Sequence, residues 1–182
     1  RQVADRFVFS GVTVDFYIID DTAWLRKAVR WVVNIVVAIA CGWFLVYGFG
    51  EQVLISGNSM QPQLSAQDVV LMNRIIYVTG TPDRFDVVVF EREDGKKNVK
   101  RIIGLPGETV QIRDNRVYIN GEPLKEDKMG EVSLAGRAAD PVRLGEKEYF
   151  LLGDNRGSSE DSRFPNIGNV KREQILGKVW FR

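Results

Sequence analysis

The sequence predicts a mostly β protein: an antiparallel β-sheet assembly behind one N-terminal transmembrane helix. Residues 31–50, WVVNIVVAIACGWFLVYGFG, are an apolar run without a charge. Beyond Glu51 the apolar stretches shorten to strand length and become rich in Val and Ile. Turn-forming pairs separate them: Thr81-Pro82, Asp94-Gly95, Asp114-Asn115 and Asn120-Gly121.

Residues 1–24 come first. "FVFSGVTVDFYIID" alternates in part, with Val12, Val14, Phe16 and Ile18 on one side of an expected strand. No partner strand is evident nearby, and no function is assigned to this segment. The expected anchor, residues 25–50, follows. About 20 residues at roughly 1.5 Å each span the roughly 30 Å hydrocarbon layer. A core helix of a soluble protein is usually shorter or amphipathic. Asn34 is the one strongly polar side chain of the run, and Cys41 is the only cysteine of the chain. A single cysteine excludes an internal disulfide, and a thiol in hydrocarbon stays protonated and inert. Arg26, Lys27 and Arg30 precede the run, whereas after Glu51 the next basic residue is Arg74. The positive-inside tendency then puts the N-terminus in the cytoplasm and the remainder outside. The run is long, lies far from the N-terminus and lacks a small-x-small exit. An uncleaved anchor is therefore expected, not a signal peptide.

Residues 51–182 read as one β-rich domain. Its expected strands are "QVLI", "DVVLMNRIIYV", "FDVVVFER", "NVKRIIGL", "TVQIR", "RVYIN", "EYFLLG" and "KVWF". "TVQIRDNRVYINGEPL" reads as a hairpin followed by a further turn. Residues 122–147 are polar and irregular, the pattern of a surface excursion. Lys+Arg number 25 and Asp+Glu 24, a net charge of +1. With no basic stripe interleaved with aromatics, no nucleic-acid partner is expected.

"SGNSMQPQL", residues 56–64, sets Ser59 between a glycine-containing turn and a proline, a setting suited to a nucleophile. A serine hydroxyl needs a neighbouring base, and the chain contains no histidine. Carboxylates, lysine, tyrosine and the N-terminal amine remain, and the last lies across the expected membrane. Lysine becomes a base only where burial lowers its pKa by several units, so it must sit in an apolar segment. Lys96 and Lys97 follow Asp94-Gly95 and fit a solvated hairpin tip; Lys125, Lys128, Lys147 and Lys171 lie among charges. Lys178 in "GKVWF" competes weakly, and Lys100 in "NVKRIIGLPGE" holds a modest lead. Arg101 cannot replace it, because a guanidinium stays protonated.

A third dense segment is "LLGDNRGSSEDSRFPNIG", residues 151–168. It is either a polar loop or a set of short donors and acceptors that orients a lysine amine. Asp154, Glu160 and Asp161 raise metal binding as a further reading. The interleaved Arg156 and Arg163 oppose it by competing for those carboxylates. No metal and no cofactor is expected.

These segments resemble, in order, the sequence blocks of the bacterial type I signal peptidases, membrane-anchored Ser/Lys endopeptidases. "SGNSMQPQL" is similar to the nucleophile block, with Ser59 as the attacking serine followed by Met60. "QDVVLMNR" resembles a structural block, and "KNVKRIIGLPGETV" the block whose lysine base falls on Lys100. "LGDNRGSSEDSR" resembles the last block. There Ser159 matches the serine that orients the lysine, and Asp161 and Arg163 match a supporting charge pair. Block order and anchor extend the match over residues 25–182.

The resemblance implies a signal-peptidase-like catalytic fold on the outer face of a bacterial cell membrane. It implies removal of signal peptides from exported preproteins through an acyl-enzyme, with the lipid bilayer and the secretion machinery as further partners. The substrate is expected to add as a β-strand, with small residues at the first and third positions before the cut. Val53, Ile55, Met60, Leu64 and Val99 are the implied pocket residues, though ordinary core packing accounts for them equally well. Ser59 lies about nine residues past Gly50, hence within roughly 32 Å of the anchor's end at 3.6 Å per residue.

Three positions depart from the family pattern. Gln63 replaces a common threonine, Gln67 a common glycine, and Gly57 the serine whose hydroxyl completes the oxyanion hole in some members. A backbone N–H is then the expected second donor. The lack of histidine separates the chain from the endoplasmic-reticulum and archaeal-type enzymes. Self-cleaving stress-response repressors share the Ser/Lys chemistry, but they are soluble and carry a DNA-binding helix-turn-helix. Two rivals stand beside the main reading: a pilus- or conjugation-related processing peptidase, and a membrane-tethered β-domain that binds peptides without cutting them. An inactive relative would usually lose Ser59 or Lys100, and both are present.

Overall fold

The computed structural model describes residues 3–9, 12–17, 23–49 and 51–181. The chain forms two compact units, Arg1–Phe44 and Leu45–Arg182. In the first, β1 (Val3–Phe9) and β2 (Val12–Tyr17) pair antiparallel. The strand expected over Val12, Val14 and Phe16 therefore does have a partner, supplied by the residues just before it. Ile18, expected on the same side, lies outside the described residues. Helix α1 spans Ala23–Phe49, and its residues 23–45 are long and apolar enough to cross a membrane. Every residue from 23 to 45 is exposed. An apolar helix that no protein core covers on any face suits hydrocarbon as its solvent.

The second unit is built on β3 (Glu51–Leu54), β4 (Val69–Asn73), a one-turn helix α2 (Ile76–Thr79), β5 (Val87–Glu91) and β6 (Lys97–Gly104). It continues through β7 (Thr109–Arg113), β8 (Arg116–Ile119), β9 (Glu122–Pro123), β10 (Val142–Arg143), β11 (Glu148–Leu152), β12 (Val170–Lys171) and β13 (Ile175–Phe181). Seven strands form one sheet in the order β12-β11-β6-β5-β13-β4-β3, and four form a second in the order β10-β7-β8-β9. All their pairings are antiparallel. β13 lies between β5 and β4, so it alone joins the half of the large sheet that holds β6 to the half that holds β3.

Local chemistry explains the breaks. Asp114 and Asn115 have φ of 50° and 60°, and Asn120 and Gly121 have 53° and 86°. Two successive left-handed residues make the tight hairpin turns that join β7 to β8 and β8 to β9. "DVVLMNRIIYV" reads as a single strand but folds as two elements. The Asn73 side-chain oxygen accepts from the backbone N–H groups of Ile75 (3.0 Å) and Ile76 (3.2 Å). That local turn ends β4 and starts α2.

The core has three clusters. One joins Ile103, Val110, Ile112, Phe150 and Leu152 to Val132, Ala138 and Leu144. The last three come from residues 122–147, so that segment is not solvated throughout; it anchors itself in the core between the sheets. A second cluster gathers Val88, Phe90, Ile102 and Leu151. A third gathers Ile55, Met60, Leu64, Val70, Met72, Val89 and Val99. From Val99 to Gly104, β6 is buried without interruption. The large sheet also curls: Lys97 on β6 pairs with Glu51 on β3, although three strands lie between them in the ladder.

Candidate active site

Ser59 sits in the connection from β3 to β4. The Ile55 N–H donates to Asp68 O at 2.9 Å and the Gln67 N–H to Ile55 O at 2.8 Å, which closes the loop at its base. Met60, fully buried, pins its centre in the third apolar cluster. Burying such a side chain is worth about 2 kcal/mol. Gln63, at the position where threonine is common in the family, accepts from Arg101 Nη2 at 2.5 Å and ties the loop to β6. Gln67 carries a φ of 74°, in the left-handed region that favours glycine.

Lys100 lies on β6 and is 3% exposed. Its Nζ donates to Ser59 Oγ at 2.7 Å, across 41 positions of sequence. Burial pushes the Lys100 amine from its ordinary 10.5 down to about 8. The charges of Asp161 and Glu160 act against that shift, while Arg92 and Arg163 reinforce it.

Asp161 does not neutralise the amine directly, because its carboxylate is already engaged. Arg163 donates to it from Nε and Nη2 at 2.8 Å each, and the Gly153 N–H donates at 3.0 Å. Both partners are at most 1% exposed. The same guanidinium donates to the backbone carbonyls of Leu134, Arg156 and Ser159. The expected pair is thus the hub that shapes residues 153–163. Glu160 goes to Arg92 at 3.0 Å and Asp154 to Arg101 at 2.6 Å. Among the described residues, no group of three His, Cys, Asp or Glu is placed to hold a metal ion.

Ser159 departs from expectation. Its Oγ is buried and makes no hydrogen bond among the described residues, so the expected contact with the Lys100 amine is not formed. The amine turns to Ser59 instead. Ser159 still belongs to the site through Gly153. A Cβ at Gly153 would lie 2.0 Å from Ser159 Oγ and 2.5 Å from Ser59 O, a space only glycine leaves open.

Several residues that shape the site went unrecognised in the sequence. The Asn155 N–H donates to Ser59 O at 3.0 Å and its Nδ2 to Asn58 O at 3.2 Å, fastening the serine loop to the 153–163 loop. Arg156 pairs through both Nη atoms with Asp127 at 2.7 Å. Asn155 and Arg156 lie in the dense polar segment, so density was their signal; Asp127, in an irregular stretch, has none.

A cavity of about 80 Å³ opens beside Ser59, lined by Val53, Leu54, Ile55, Ser56, Gly57, Ser59, Met60, Lys97, Asn98 and Val99. Val53, Ile55, Met60 and Val99 border this cavity, and Ile55, Met60 and Val99 are also members of the third core cluster. Leu64 lies apart from this lining, packed with Met60 and Val70 in the third cluster. A Cβ at Gly57 would meet nothing within 4 Å. Lys178, the competing lysine, donates to Asp86 Oδ1 at 2.5 Å and does not line this cavity.

The family model described as signal peptidase, peptidase S26, matches residues 28–182. The chain is 32% identical over 169 residues to a probable signal peptidase I-2 of Synechocystis, covering 89% of this chain and 74% of that protein. It is 35% identical over 163 residues to signal peptidase I T of Bacillus subtilis, covering 84% and 83%. A crystal structure of a signal peptidase I from Enterococcus faecalis, 35% identical, aligns over 56% of this chain and 98% of its own with a TM-score of 0.48. Because the family model spans most of the chain and relatives above 30% identity cover most of their own lengths, the chain belongs to the signal peptidase family, peptidase S26.

Proposed function

We propose that this protein removes N-terminal signal peptides from exported preproteins, with Ser59 as nucleophile and neutral Lys100 as general base. The observation that carries the reading is the 2.7 Å contact between a buried amine and the serine hydroxyl. Lys100 takes the proton from Ser59 Oγ as the oxygen attacks the scissile carbonyl. The Ser59 backbone N–H and a second backbone donor hold the oxyanion, since Gly57 has no side chain to offer. One such donor contributes about 3–4 kcal/mol to lowering the barrier. The resulting lysinium gives its proton to the leaving amine, and the neutral amine then activates the water that releases the acyl group.

Asp161, Arg163, Ser159, Gly153 and Asn155 position the dyad without taking part in proton transfer. An extended peptide delivers a small side chain to the cavity beside Ser59. Helix α1 anchors the protein, with the N-terminus cytoplasmic and the peptidase domain on the outer face of the membrane. That orientation rests on the basic residues Arg26, Lys27 and Arg30. The experiment is cleavage, in detergent, of a preprotein bearing an Ala-x-Ala site. The unsubstituted chain should cut after the last alanine, and Ser59→Ala and Lys100→Met should each abolish product. Binding of the preprotein without any product would instead make the chain a peptide-binding module.

A further inference from the structure

The cavity beside Ser59 is walled from two directions. Val53 and Leu54 belong to β3, and Lys97, Asn98 and Val99 belong to β6. These strands share no ladder, because β5, β13 and β4 stand between them. The cavity is therefore a seam where the curled sheet meets itself without backbone pairing. An ion pair crosses this seam: Lys97 Nζ, at the head of β6, donates to Glu51 Oε1, at the head of β3. Glu51 Oε2 also accepts from Arg74 Nη1 at 2.9 Å, which steadies the carboxylate from the far end of β4. The Lys97 hydrogen bond is the main cause that holds the Glu51 carboxyl below its ordinary value.

β3 is short and lies at the edge of the sheet, with a strand partner, β4, on one side only. Short edge strands open at low free energy. On the side facing β6 side chains do the holding: the Glu51–Lys97 pair at the exposed end, and Val53 and Val99 in the third apolar cluster below it. The Glu51 and Lys97 side chains are 26% and 45% exposed, so their contact is reachable by salt.

We infer that the Glu51–Lys97 ion pair latches β3 to β6 and sets the width of the seam, which confines the cavity to small side chains. This rests on the peptidase reading of the same cavity. Glu51 is a positioning residue that acts on the substrate through the placement of Val53, Leu54 and Val99; Lys97 does the same and also borders the cavity itself, so Glu51→Gln is the cleaner variant. An exposed pair changes such an equilibrium by about two- to fivefold, and selectivity should move by a similar factor.

The test uses the full chain in detergent micelles and two preproteins that differ only by Ala or Leu at the third residue before the cut. The quantity read is the ratio of kcat/KM for the two. Glu51→Gln and Lys97→Met should each lower the Ala preference by about two- to fivefold. Lys97→Arg preserves the pair and should keep the ratio within about twofold. Raising the salt should relax the unsubstituted chain but not Glu51→Gln. Thermal unfolding of each variant separates an opened seam from a lost fold. If both single variants keep the original ratio while the Ala substrate is cut, the latch is wrong and the peptidase reading stands. If Lys97→Arg relaxes selectivity as much as Lys97→Met, the ion pair is not the cause. If the unsubstituted chain cuts neither substrate, the peptidase reading falls and the latch with it.

Discussion

Two lysines flank one valine in the large sheet, and they have opposite fates. Lys100 on β6 and Lys178 on β13 are both registered against Val88 of β5. Lys178 meets a carboxylate, Asp86, whose other oxygen accepts from the Tyr77 hydroxyl at 2.7 Å. Lys100 meets a hydroxyl, while the carboxylate of Asp161 is spent on Arg163. Lys178 is partly exposed and tied to a carboxylate. An amine that is dry and denied one gives its proton up near neutrality. Burial comes first in lowering the Lys100 amine, and the engagement of Asp161 by Arg163 leaves it without an ion-pair partner of the kind Lys178 has.

The strongest way to break this contrast is to exchange the lysines' fates by substitution. Lys100→Met should lower preprotein cleavage by about 10³–10⁴-fold or more. Lys178→Met should leave it within a few-fold, although the protein melts earlier. Comparable losses in both variants, measured by product formation in detergent, would remove the distinction.

Stability should move the other way. The unfolded chain holds the Lys100 proton up to its ordinary 10.5, whereas the folded chain releases it near 8. Between those values the unfolded state binds more protons, so stability rises with pH. Below about pH 8 the destabilisation is complete. Lys100→Met removes it and should stabilise the protein at pH 7 by up to about 3 kcal/mol. Lys178→Met strips Asp86 of its partner and should cost about 1–2 kcal/mol. Denaturant unfolding at pH 7 gives both signs, and a destabilised Lys100→Met would show that its amine is not held dry at a cost.

The pH profile sharpens the comparison further. The proposed mechanism requires neutral Lys100, so kcat/KM should climb with pH and level off above an apparent pKa of about 8. Glu160 raises that value, so Glu160→Gln should move the midpoint to lower pH. A midpoint that shifts upward would contradict the field assigned to Glu160. The smallest effect concerns the loop that presents Ser59. Gln67→Gly relieves a left-handed backbone at φ 74° and should raise the melting midpoint, by about 1 kcal/mol of stability. An unchanged midpoint would mean that the loop stores no strain there.

Much of the fold was legible because its signals are local. Asp114-Asn115 and Asn120-Gly121 mark hairpins by the backbone they tolerate, and α1 announces itself by length and lack of charge. The break inside "DVVLMNRIIYV" was missed because it depends on where one asparagine oxygen points. Ser59 and Lys100 stood out through histidine's absence and through burial implied by flanking Val and Ile. Composition could not separate Lys100 from Lys178 decisively, since Asp86 lies 92 positions before Lys178 and only the sheet register joins them. The same holds for Asp127 with Arg156 and for Asn155 with the Ser59 carbonyl: each contact is made by topology, not by neighbours in sequence.

The place of β13 has a consequence for biosynthesis. The serine loop hangs on the β3–β4 hairpin and the lysine on the β5–β6 hairpin, and the strand that stitches those hairpins together is translated after both. A chain that stops short of residue 175 lacks the one strand that links these hairpins in the ladder, and only side-chain and loop contacts such as Arg101 to Gln63 and Asn155 to Ser59 remain between them. On the proposed mechanism the Ser59–Lys100 pair then depends on the last strand made, so removing residues 175–181 should cost activity out of proportion to the few residues lost.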